Sequence, residues 1–126
     1  MTMTKFLKLA LAGVAVVSIN VAMAHGPEAA KHGGTVAAAG DLGFELAQHG
    51  DVVHLYVDDH GTPHPTAGMT GKLTVLNGAE KSEADLTATE ENKLEARGVK
   101  LEAGAKAVAA VTLPNKKVIT VRFTVK

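Results

Sequence analysis

The chain has 126 residues, with 13 basic residues balanced by 13 acidic ones, six histidines and no cysteine. Balanced charge leaves no basic surface for nucleic acid or anionic lipid. The missing thiols exclude disulfide staples, thiol chemistry and thiolate metal sites, so imidazole, carboxylate, thioether and a free amino terminus are the remaining candidate ligands.

Residues 1–8 include Lys5 and Lys8 and no acid, and residues 9–21 are apolar except for Ser18, Asn20 and small side chains. With Ala22-Met23-Ala24 behind it, this pattern predicts a signal peptide over residues 1–24, cut before His25. The apolar run is shorter than the roughly twenty residues that span hydrocarbon. Export with no retained membrane anchor is therefore expected, leaving a slightly acidic chain long enough for one domain with one core.

Residues 25–34, His-Gly-Pro-Glu-Ala-Ala-Lys-His-Gly-Gly, are punctuated by Gly and Pro and predict a mobile arm ahead of a domain over residues 35–126. Residues 44–47 and 52–57 alternate in polarity around His49-Gly50, which predicts a hairpin with those two residues as its turn. That register sets Leu46 opposite Val53, Phe44 opposite Leu55 and Leu42 opposite Val57 on the core face, with Glu45 opposite His54 on the solvent face. Residues 72–76, 83–86 and 93–96 are further short strands. A second hairpin joins 107–113 to 118–125 across Pro114-Asn115-Lys116. No stretch has the period of an amphipathic helix. About seven short strands predict a single antiparallel β-sandwich of the immunoglobulin-like kind, with a core light in aromatics.

All six histidines, His25, His32, His49, His54, His60 and His64, precede residue 65. After cleavage His25 carries both an imidazole and an α-amino group, which can chelate Cu(II); the alternative is a merely polar terminus. The run from Asp58 to His64 offers two imidazoles and two carboxylates in a bend set by Gly61 and Pro63, either a divalent-ion loop or an ordinary polar turn. Its His-x-x-x-His spacing is no metalloprotease helix, because Gly61 and Pro63 break the helix and no Glu follows His60. His54 with Glu45 reads as a ligand pair or an exposed charge pair, His32 as a tethered ligand or a solvated arm residue, His49 as a turn residue and Met69 as a gap filler. No Ser-His-Asp order, Gly-x-Ser-x-Gly turn, phosphate loop or dinucleotide fingerprint occurs, which argues against an enzyme.

A leader ending at a histidine, the His32-Gly33-Gly34 arm and the Asp59-His60-Gly61-x-Pro63 loop after a hairpin resemble small periplasmic heavy-metal-resistance proteins. The likeness is to the extra periplasmic domain of CzcB-type membrane-fusion subunits of metal efflux pumps, over roughly residues 32–125. The chain is also similar, more loosely, to CopC-type copper carriers, whose mature N-terminal histidine binds Cu(II) with an Asp-x-His pair. His25 and Asp58-Asp59-His60 match those elements, although the pair lies late in that family and early here, and its methionine-rich loop is missing. The resemblance implies a periplasmic carrier without turnover. The expected metal is Cu(II), with Zn(II), Co(II) or Ni(II) behind it, and the expected partner is an efflux membrane-fusion subunit. The expected ligands are His25, His60 and His64, then Asp58 and His54, with His32 and Glu45 as additions. The competing expectation is an immunoglobulin-like adaptor whose histidines are incidental.

Overall fold

The computed structural model describes residues 29–126; the expected leader and His25 lie outside the described residues. Nine strands follow in order: β1 Thr35–Ala39, β2 Leu42–His49, β3 Val52–Asp59, β4 Thr62–Pro63, β5 Thr70–Asn77, β6 Glu80–Ala88, β7 Lys93–Arg97, β8 Lys106–Thr112 and β9 Val118–Thr124. They form one antiparallel sheet in the order β1-β2-β3-β7-β6-β5-β8-β9, with β4 attached to β3. Within it, β5, β6 and β7 are successive neighbours and β8 returns to lie beside β5, the Greek-key order.

The two ends of this path meet. The Lys126 amide donates to Thr35 Oγ1 at 3.1 Å, and a Cβ added at Gly40 would sit 3.1 Å from Ile119 Cδ1. The sheet is thus nearly closed into a barrel, where a sandwich of about seven strands was expected. Two strands escaped the sequence pattern for physical reasons. The Thr-Val-Ala-Ala-Ala segment of β1 has weak strand propensity and is extended because it pairs with β2 from Thr35↔Leu46 to Ala39↔Leu42. β4 is a two-residue strand made by a tight turn.

Alternation along the strands builds the core. Phe44, Leu46, Val53, Leu55 and Val57 of the first hairpin are buried with Leu73, Val75, Leu86 and Leu94, and with Ala107, Ala109, Val111, Val121 and Phe123. The second hairpin has the expected pairing across Pro114-Asn115-Lys116, from Thr112↔Val118 to Lys106↔Thr124.

The first hairpin corrects the expected register. Leu46 faces Leu55, Phe44 faces Val57, and Glu45 faces Tyr56 in place of His54. The turn is Gly50-Asp51, with Gly50 at φ 64°, and His49 still belongs to the ladder opposite Val52. Side chains alternate with period two, so a shift of two keeps every apolar residue on its expected face while changing every partner.

Candidate functional site

Glu45 lies on the outer face of β2, where the sequence places it in solvent, yet it is only 6% exposed. Residues 31–34 fold back over it. Its Oε1 accepts from the Lys31 amide at 2.9 Å and from His32 Nδ1–H at 3.1 Å. Its Oε2 accepts from the His32 and Gly34 amides, each at 2.8 Å. Burial alone would raise the carboxyl pKa. The amides of Lys31, Gly34 and His32 and the His32 imidazole outweigh it and hold Glu45 below its ordinary 4.5.

The His-Gly-Gly sequence is what permits this docking. Gly33 has φ +73°, and a Cβ at Gly34 would strike the Leu46 carbonyl and come within 2.9 Å of the Ala47 Cβ. The His32 ring lies parallel to Tyr56, with centroids 3.6 Å apart, and Lys31 Nζ reaches the Gly61 carbonyl at 3.1 Å. Residues 31–34 of the arm expected to be mobile are therefore anchored. A cavity of about 240 Å³ remains between Lys31 and His32 on one side and Tyr56, Asp58 and Pro63 on the other.

Along the same face, Tyr56 Oη and His54 Nδ1 share a hydrogen bond of 3.1 Å. His54 Nε2 is 3.4 Å from Glu95 Oε2, the cross-strand neighbour on β7. His49 and His54 are diagonal neighbours, their ring centroids 4.7 Å apart. Burial, followed by the charges of Lys93 and His49, lowers the His54 pKa, with Glu95 opposing; this favours the neutral imidazole, the form in which histidine binds a metal. Glu95 also lies 3.7 Å from both Lys93 Nζ and Arg97 Nη2. The sequence singled out His54 and Glu45 as a pair; the fold separates them and joins His54 to His49 and Glu95 instead. The missed signal was the hairpin register, since only pairing His49 with Val52 puts it diagonal to His54.

The Asp58–His64 segment is a tight hairpin. His60 and Gly61 form its turn, at φ 52° and 89°, the signs that a type I′ turn requires. Asp58 Oδ2 accepts from the Gly61 amide at 3.1 Å, which explains the carboxylate as a turn-stabilising group. His60 projects from the tip, its side chain 85% exposed and 3.7 Å from Asp59. His64 Nδ1–H donates to the Pro65 carbonyl at 2.9 Å. Among the described residues no three His, Asp or Glu side chains converge into a preformed metal cage. Met69 is buried in the core at 3% exposure.

The chain matches no family model, and no curated protein or solved structure is significantly similar to it.

Proposed function

We propose that the protein is an exported carrier that binds a divalent transition metal, Cu(II) ahead of Zn(II), Co(II) or Ni(II), and buffers it or passes it to an efflux system. The observation that carries this reading is the pair His49 and His54, whose ring centroids are 4.7 Å apart, with the Glu95 carboxylate beside His54. Two imidazoles and a carboxylate are a donor set for borderline divalent ions, and the order of affinities places Cu(II) first. Tyr56 hydrogen-bonds one nitrogen of His54, as outer groups do around metal-bound histidines. His49 lies on the surface and closes on an ion by rotating its side chain, so the site assembles on binding. Export rests on the leader pattern of residues 1–24, and the efflux partner on the resemblance to CzcB-type subunits.

Calorimetric titration with Cu(II) and Zn(II) tests this. The His49→Ala and His54→Ala variants are expected to lose a one-to-one site, and the double variant His60→Ala with His64→Ala to keep it. Binding that survives both single changes but disappears when one alanine is added ahead of His25 moves the site to the terminal chelate. No binding by any form rejects the carrier.

The adaptor reading is favoured by a different feature. β6 pairs with β5 from Glu80 to Thr87 but with β7 only at Thr87 and Ala88, so residues 80–85 leave one backbone edge open to an added strand. Exposed Glu80, Lys81, Glu83 and Asp85 along that edge oppose self-association.

A further inference from the structure

The docking of residues 31–34 is built around one carboxylate in a way that makes it reversible by a single proton. Each Glu45 oxygen has two lone pairs, and each already accepts two N–H groups, Lys31 and His32 Nδ1 on Oε1, and His32 and Gly34 on Oε2. A proton on either oxygen would point a hydrogen at donors that have no other acceptor among the described residues. Among the described residues nothing else holds the segment as firmly. Lys31 Nζ meets Gly61 only in an exposed hydrogen bond, and His32 rests on Tyr56 by stacking alone.

Among the described residues, Glu45 is the carboxylate that accepts from the strap. The strap contributes His32 and Lys31, whose ammonium is turned away to Gly61. β3 contributes Tyr56, opposite Glu45, and Asp58, which is engaged by the Gly61 amide. β1 places uncharged Val36 opposite Glu45. Lys93 and Glu95 of β7, and Glu90 just before it, act on Tyr56.

We propose that residues 31–34 are a strap clipped to the sheet by Glu45 and released as a unit when Glu45 is protonated, which opens the cavity and bares the Tyr56 ring. At neutral pH the strap closes the outer face and holds the His32 imidazole against Tyr56. In acid the sheet persists and the strap swings free. The inference is independent of metal binding.

Tyr56 is the only tyrosine and there is no tryptophan, so intrinsic emission of the whole protein reports the stacked ring directly. The experiment follows that emission, amide exchange of residues 31–34 and far-UV circular dichroism from pH 7 to pH 3. Strap protection is expected to fall about tenfold or more, with an accompanying emission change, as pH drops through the depressed Glu45 range. Core amides at Leu55 and Val75 and the dichroism stay unchanged. Glu45→Gln, whose amide NH₂ opposes the strap donors, is expected to show the released signals at pH 7. Gly34→Ala, which displaces the strap sterically and leaves Glu45 in place, is expected to show them too. Any emission change common to the wild type and Glu45→Gln does not arise at Glu45 and is subtracted. Strap amides that exchange only in step with the core at every pH overturn the proposal. So does a folded Glu45→Gln protein whose strap stays protected.

Discussion

His32 lies flat on Tyr56, ring over ring at 3.6 Å with the planes 3° apart, and the same tyrosine hydrogen-bonds His54 through its hydroxyl. One side chain thus touches the strap on its face and the candidate ligand at its tip. Tyr56→Phe separates these roles. The stack is retained, and the lost hydrogen bond is expected to cost about 0.5–1.5 kcal/mol by urea denaturation. Metal affinity is expected to fall more than strap protection, since His54 loses the group that orients it.

The depressed His54 pKa has a stability consequence with a definite sign. The folded state binds a proton at His54 less readily than the unfolded chain, so this group contributes stability above its ordinary 6.5, lost as pH falls through the depressed value. Urea midpoints are expected to decline over that window and to decline less in His54→Gln. Imidazole proton resonances followed through the titration are expected to place His54 below 6.5.

His60 has the left-handed backbone that Asn tolerates better. His60→Asn is expected to leave the melting temperature unchanged or raised and to leave Cu(II) and Zn(II) affinity unchanged. A loss of affinity would return the site to the Asp58–His64 hairpin.

Thr66 is fully buried, and its hydroxyl sits 3.0 Å from the Glu91 carbonyl and 3.1 Å from that of Lys93. It ties the segment after β4 to the β6–β7 turn. Thr66→Val keeps the volume but strips the hydrogen bond, so unfolding is expected to become easier by about 1–3 kcal/mol. Faster exchange at the Lys93 amide would accompany it.

The all-antiparallel fold, the approximate positions of most long strands and the core face of the first hairpin and of β9 were legible in the residues themselves, because a period of two is a local property. Phe44, Leu46, Leu55, Val121 and Phe123 point inward as their alternation requires. Local pattern left undecided anything that depends on partners. The hairpin register, fixed by Gly50-Asp51 as the turn, decides whether His54 faces Glu45 or Ala47. The seam between β1 and β9, residues far apart in the chain, decides between barrel and sandwich. Only the tertiary structure could bury Glu45, because that requires residues 31–34 to return across a sheet from which their own composition gave no reason to expect an acceptor.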